Sequence, residues 1–216
     1  MIATAQVALD SLPETRRAIL EHLKRQGTTG VESISTATTI TVSGARQHLV
    51  ALERDGLITH HDLREGKGRP KHLYALTPAG DALFPRNYAE LANELLEYVE
   101  VADPHLLQQI FAKRAARRLE QARLRLAGLA FAEKVRVLAQ ILDEDGYLAD
   151  FQQQPDGSFV ITEHNCAVLS VARRYNHACS SELSFLQAAL PEAELVRIAH
   201  QLVGGHVCAY SVRLRA

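Results

Sequence analysis

Three cysteines stand in the last quarter of the chain: Cys166, Cys179 thirteen positions on, and Cys208 twenty-nine beyond that. A thiol offers two kinds of chemistry, nucleophilic attack and ligation of a soft metal, and both use the thiolate. An odd number argues against a closed disulfide framework. The spacing is not the CxxC pairing of a zinc ribbon or finger, nor the tight cysteine run of a bacterial ferredoxin. Free cysteines are often small buried apolar groups, so spacing alone leaves metal binding, reactivity and burial open. Histidines crowd the same places: His164 near Cys166, His177 near Cys179, and His200 and His206 around Cys208. Cys166 is expected to open a helix and Cys179 to precede the next, positions that favour the thiolate. By alternation, His206, Cys208 and Tyr210 share one face of a final strand. A nucleophilic Cys166 with His164 as its base is disfavoured, because residues two apart do not reliably face each other and no oxyanion-hole motif accompanies them.

The elements carrying these residues read as a small α+β region over 146–216. Residues 147–151 and 158–162 are expected as strands around the turn signal Gln154-Pro155-Asp156-Gly157. Residues 166–175 and 179–190 look helical, and 194–199 with 207–214 form a closing hairpin around Gly204-Gly205. Upstream, 81–145 reads as a helical linker and dimerisation region. A helix continues from the Thr77-Pro78 cap to about Val101, with the repeat Leu91, Leu95, Val99, and others cover 104–126 and 131–143. The basic run from Lys113 to Arg125 is assigned to exposed helix charge rather than to phosphate contact.

Residues 1–80 have a different character. A first helix over 13–27 puts Ile19, Leu20 and Leu23 on one side and stops at Gly27. A second, over 31–39, is rich in Ser and Thr and therefore weak. A third, capped by Thr41 or Ser43, runs to Asp55 with Val42, Ala45, Leu49 and Leu52 at helical spacing, and Gly56 ends it. Strands over 57–61 and 73–76 flank a basic tip. Three helices followed by a hairpin form a winged helix-turn-helix, so the fold class is mostly α with small β elements.

In that motif the second helix enters the major groove with its N-terminal residues leading. With Ala45 and Leu49 turned inward, Ser43, Gly44, Arg46, Gln47 and His48 face out. Arg46 suits a guanine edge, Gln47 an adenine edge and Ser43 a phosphate. Gly44 is costly inside a helix and is read as allowing close approach to DNA. The wing offers Arg64, Lys67, Arg69 and Lys71, with Gly66 and Gly68 letting the loop flatten on the backbone. The expected partner is double-stranded operator DNA.

Bulk composition neither adds to nor opposes this. The 216 residues are 47% hydrophobic and 23% charged with a net charge of -1, so DNA affinity must come from local clustering. Residues 1–12 hold no basic stretch followed by an apolar run, and no apolar run approaches the roughly 20 residues of a membrane helix. A cytoplasmic protein with no membrane partner is expected.

The chain also resembles the SufR-like, DeoR-type family of iron–sulfur repressors along nearly its whole length. The matching segments are Gly68-Arg69-Pro70 with Tyr74-Ala75-Leu76-Thr77, then Leu83-Phe84-Pro85 with Tyr88, and Asp145-Gly146-Tyr147. Further on come Glu163-His164-Asn165-Cys166, Arg174-Tyr175 with Cys179 and Glu182-Leu183, and His200 to Cys208 with Tyr210. The wing motif is shared by many families, whereas the three-cysteine pattern is far more specific. The resemblance implies a homodimer with one cluster per subunit, of 4Fe–4S type, ligated by Cys166, Cys179 and Cys208. A cubane needs a fourth ligand, and the resemblance offers His164 or His200, with a glutamate or an exogenous group also open. It further implies a repressor that senses iron or redox status. Zinc on the same cysteines plus a histidine, or a small-ligand module with incidental cysteines, are the competing expectations. Neither is an enzyme.

Overall fold

The computed structural model describes residues 9–64 and 70–215. The chain divides into two compact units, Met1–Asn87 and Tyr88–Ala216.

In the first unit, α1 (Glu14–Gln26) buries Ile19, Leu20 and Leu23 along one stripe and ends at Gly27, whose φ of 72° is a left-handed position. A two-residue strand that the sequence did not signal, β1 (Thr29–Gly30), leads into α2 (Val31–Thr38). The hydroxyls that make α2 weak bond back to the chain: Thr36 Oγ1 donates to Glu32 O and Thr38 Oγ1 to Ile34 O. Only Val31 and Ile34 of this helix are buried, and they anchor it. Thr41 caps α3 (Val42–Arg54) by accepting from the Gly44 N–H at 3.1 Å. Ala45, Leu49 and Leu52 face the core from α3, beside Leu9, Ile58 and Tyr74. The hairpin of β2 (Ile58–Leu63) and β3 (Lys71–Leu76) completes an antiparallel sheet of order β1-β3-β2. This is a winged helix.

The expected continuous helix from Thr77 onward is broken. A short α4 (Pro78–Ala82), capped by Thr77, stops before Pro85. A proline disfavours helical backbone in the residue before it and cannot continue the hydrogen-bond ladder. Gly80 is required where it stands, since a Cβ there would lie 2.0 Å from the Leu57 carbonyl oxygen.

In the second unit, α5 (Tyr88–Ala102), α6 (Pro104–Leu126) and α7 (Phe131–Leu142) precede a wide turn over Asp143–Tyr147. Then come β4 (Ala149–Gln153), β5 (Phe159–Glu163), a four-residue α8 (Leu169–Ala172), α9 (His177–Ala189), β6 (Ala193–Ala199) and β7 (Cys208–Leu214). The strands form an antiparallel sheet of order β4-β5-β7-β6. Where a separate helical region over 81–145 is expected, α6 and α7 share one core with α9 and the sheet: Leu126, Leu138 and Leu142 pack with Ile161, Phe185 and Val212. The expected helix over 166–175 shrinks to α8, so Cys166 lies in the loop after β5. Cys179 sits in the first turn of α9 rather than before it.

Candidate metal centre and nucleic-acid interface

Each cysteine is delivered by a different device. Cys166 follows Asn165, whose Nδ2 donates to Gly146 O at 2.7 Å and whose N–H donates to Tyr147 O, tying the loop to the turn before β4. Cys179 is placed by α9. Cys208 opens β7, opposite Glu163 of β5 in the strand register. All three line one small cavity, together with Glu163, Glu182, Arg197, His200, Tyr147 and Tyr210. His164, by contrast, is exposed and bonds Asp150 through Nε2 at 2.8 Å. It does not line the cavity. His206 is exposed and precedes β7, and His177 stacks on Phe111.

Four buried polar atoms of this lining have no hydrogen-bond partner: Glu163 Oε1, Glu182 Oε1, Arg197 Nε and His200 Nε2. Asn93 Oδ1 is the remaining such side-chain atom among the described residues. A buried polar atom without a partner costs about 1–3 kcal/mol, so their concentration in one place makes this cavity the candidate site.

The thiols are held neutral by their surroundings. Burial pushes Cys179 up to about 11, and the Arg197 charge only partly opposes it. Cys166 and Cys208 are raised as well, again by burial first. Each nevertheless has a neighbour that favours the thiolate: the Val168 N–H at Cys166, Arg197 at Cys179, and the Gln201 N–H, which donates to Cys208 Sγ at 3.4 Å. The outcome at Cys179 is thus a raised thiol, set by desolvation, where a lowered one is expected at the start of a helix.

A carboxylate cluster lies under the thiols. Arg118 of α6 bonds both Glu182 and Asp145, and its guanidinium lies 4.3 Å from the centroid of the Phe185 ring. Burial works to lower the Arg118 pKa, but the Glu182 charge and hydrogen bond more than offset it. Tyr147 donates to Glu182 at 3.0 Å and Tyr210 to Glu163 at 3.4 Å. Glu163 is pushed up to about 8, by burial and then by Glu182. Part of the basic run 113–125 thus serves internal ion pairs, Arg118 with Glu182 and Arg125 with Glu144.

The donor set suits a soft metal centre: three thiols and an imidazole nitrogen that lacks a partner. The free space between the lining atoms, about 20 Å³, has room for roughly one water. A polynuclear cluster does not fit between the lining atoms as they stand. Thiolates around one zinc lie about 3.8 Å apart, given Zn–S bonds of about 2.3 Å. Among the described residues the group of three His, Cys, Asp or Glu ligand atoms lying within 4.8 Å of one another is His60, Asp62 and His72 on the wing. The thiols are thus not drawn to mononuclear spacing.

On the first unit, Ser43, Arg46 and Gln47 are exposed along the N-terminal half of α3, whereas His48 is half-buried. Gly44 has a local reason in addition to any approach of DNA, because a Cβ there would press to 3.3 Å on the capping Thr41 Oγ1. Arg46 and the exposed Val50 line a groove with Glu32, Lys71, His72 and Tyr74, between α3 and the hairpin. The signal in the sequence that would find Val50 is its place outside the buried stripe Ala45, Leu49 and Leu52. Arg64 and Lys71 are exposed. Lys67 and Arg69 lie outside the described residues.

No family model and no curated protein matches the chain. Among solved structures, a MarR family transcriptional regulator from Silicibacter pomeroyi is 22% identical, covering 50% of this chain and 73% of that one with a TM-score of 0.31. RV1404 from Mycobacterium tuberculosis is 18% identical, covering 66% and 78% with a TM-score of 0.33. Bordetella bronchiseptica BpsR, described for regulation of its DNA binding by 6-hydroxynicotinic acid, is 19% identical, covering 66% and 92% with a TM-score of 0.30. Likeness at this level identifies no family and assigns no ligand. No helix among the described residues is long and apolar enough to cross a membrane.

Proposed function

We propose that this chain is a homodimeric, DNA-binding transcription repressor whose operator affinity follows occupancy of a soft metal centre on Cys166, Cys179 and Cys208, with His200 as the fourth ligand. The observation that carries the metal reading is the convergence, on one cavity, of three thiols from three separate segments with an orphaned imidazole nitrogen. The centre proposed is an iron–sulfur cluster of 4Fe–4S type, which when bound supplies sensitivity to iron supply and oxidation. The chain's own part is to hold the ligands. The Val168 and Gln201 N–H groups and Arg197 favour the thiolates, and the Arg118–Glu182 pair braces α9 beneath them. Ligation ties the 163–168 loop, α9 and the 200–208 segment together, and so stabilises one arrangement of the second unit.

The DNA half of the proposal is supported by the capped α3, which presents Ser43, Arg46 and Gln47, and by the basic residues of the hairpin. The dimer is supported by α5. Tyr88, Leu91, Leu95 and Tyr98 are 69%, 51%, 54% and 62% exposed. Their spacing of three, four and three residues is the seam of a coiled coil, which favours a second copy of the same helix.

Zinc on the same four residues is the second reading: the small free space favours a single ion, although the thiols stand wider than mononuclear spacing. Anaerobic purification, an absorption spectrum and an iron and sulfide assay separate the two. A brown protein with about four irons and four sulfides per chain supports the cluster. A colourless protein that takes up zinc but no iron after anaerobic reconstitution removes it.

A further inference from the structure

The wing carries a second constellation of ligands, unrelated to the cysteines. In the hairpin register Asp62 of β2 stands opposite His72 of β3, and His60 stands opposite Tyr74. Positions two apart on a strand share a face, so His60, Asp62 and His72 project from the same side. His72 Nδ1 lies 2.7 Å from Asp62 Oδ1, and the two imidazole ring centroids are 4.6 Å apart. One ligand atom from each of the three lies within 4.8 Å of the others, and all three side chains are exposed. Glu53, near the end of α3, places Oε1 at 2.6 Å from His60 Nδ1. That leaves Nε2 as the free nitrogen of His60. A metal on Nε2 would leave Glu53 behind the far nitrogen, the arrangement that orients a metal-bound imidazole.

We propose that His60, Asp62 and His72 bind a divalent transition metal of the zinc class, with Glu53 positioning His60. Two imidazoles and one carboxylate suit zinc, cobalt or nickel rather than calcium or magnesium, which prefer all-oxygen shells. Bonds of about 2.0–2.2 Å put neighbouring ligand atoms about 3.3–3.5 Å apart around a tetrahedral ion. Exposed side chains reach that spacing by small torsional adjustments, with solvent completing the shell. The ion clips β2 to β3. It also places positive charge beside Asp62 and Glu53, at the edge of the groove lined by Arg46, Lys71, His72 and Tyr74. The binding site is independent of the regulatory reading. Only its effect on DNA affinity rests on that reading.

The test is a titration of the full-length protein with Co²⁺ alone, followed by visible and near-ultraviolet absorption. A cysteine-bound cobalt ion shows thiolate charge transfer in the near ultraviolet, whereas an imidazole–carboxylate site shows ligand-field absorption without it. The expected result is one equivalent of the second kind in the wild type. His72→Ala and Asp62→Asn should lose it while the thiolate-type signal is unchanged. Glu53→Gln should retain it with affinity weakened about 10- to 100-fold. Far-ultraviolet circular dichroism confirms that the variants fold. Equal uptake by the wild type and both ligand variants, or thiolate-type cobalt only, overturns the proposal. If the wing equivalent appears but DNA binding is absent with and without metal, the metal site stands and the regulatory reading fails.

Discussion

The Arg118 guanidinium, 12% exposed, donates to Glu182 Oε2 at 2.6 Å across the contact of α6 with α9, and the receiving side chain is only 6% exposed. Glu182 stands three residues after Cys179 on the same helix, and both line the cysteine cavity. Removing one member of a buried ion pair strands the other charge and costs about 3–5 kcal/mol. Arg118→Ala should therefore lower stability by about that amount in urea unfolding, and adding Glu182→Gln should recover a substantial part. Equal losses in the single and double variants would show that the pair does not act as a unit.

Glu163 should give the protein, prepared without metal, a characteristic pH dependence. Its carboxyl is raised to about 8 in the folded chain, by burial and then by Glu182, whereas an unfolded glutamate ionises near about 4.3. Between those values the native state holds the proton and the unfolded state does not. The contribution is therefore complete below about pH 4.3 and is lost as pH rises towards 8. Urea midpoints of metal-free protein should fall between about pH 5 and 8, and Glu163→Gln should flatten that fall. An unchanged slope in the variant would place the titration elsewhere.

The exposed stripe on α5 makes a prediction about assembly. Leu95→Glu places a charge in the middle of the exposed stripe Tyr88, Leu91, Leu95 and Tyr98, the proposed seam, and should convert a dimer into a monomer by light scattering, with the helical circular dichroism retained. A dimer that persists in Leu91→Glu/Leu95→Glu puts the interface on another surface.

The residues proposed to face DNA should separate into two kinds. Arg46→Ala should weaken specific binding by about 1–3 kcal/mol and relax preference at one base pair. Lys71→Ala should weaken binding to all sequences alike and lower the salt slope by about one. Fluorescence anisotropy on duplexes selected from a random pool measures both. Identical behaviour of the two variants would contradict the assignment of α3 as the reading helix.

Much of the winged helix was legible because its signals are local. The stripe Ala45, Leu49, Leu52, the Thr41 cap and Gly56 at φ 71° each follow from residue type and position. The two-residue β1 was not legible, because it exists only by pairing with Tyr74 and Leu73 of β3. Neither was the loop placement of Cys166, which depends on long-range bonds from Asn165 to Tyr147 and Gly146. The carboxylate cluster does leave a signal in the sequence. Glu163 occupies an inward position in the alternation of β5 beside Phe159 and Ile161, and Glu182 interrupts the buried stripe Ala178, Phe185, Leu186 of α9. A charge at a core position is the mark of a functional or paired group. The choice between His164 and His200 was open in the sequence, since both neighbour a cysteine. His200 lines the cavity, whereas His164 is exposed and bonds Asp150.

The most direct measurement of the central claim compares one preparation in two states. Anaerobically reconstituted protein and the same protein after chelation are titrated onto a single duplex enriched by the loaded form, at one fixed salt concentration. The loaded form should bind at least about tenfold more tightly, a coupling of about 1.4 kcal/mol or more, and Cys179→Ser should bind like the chelated form. Equal affinity in the two states would contradict the account, whatever metal the three thiols hold.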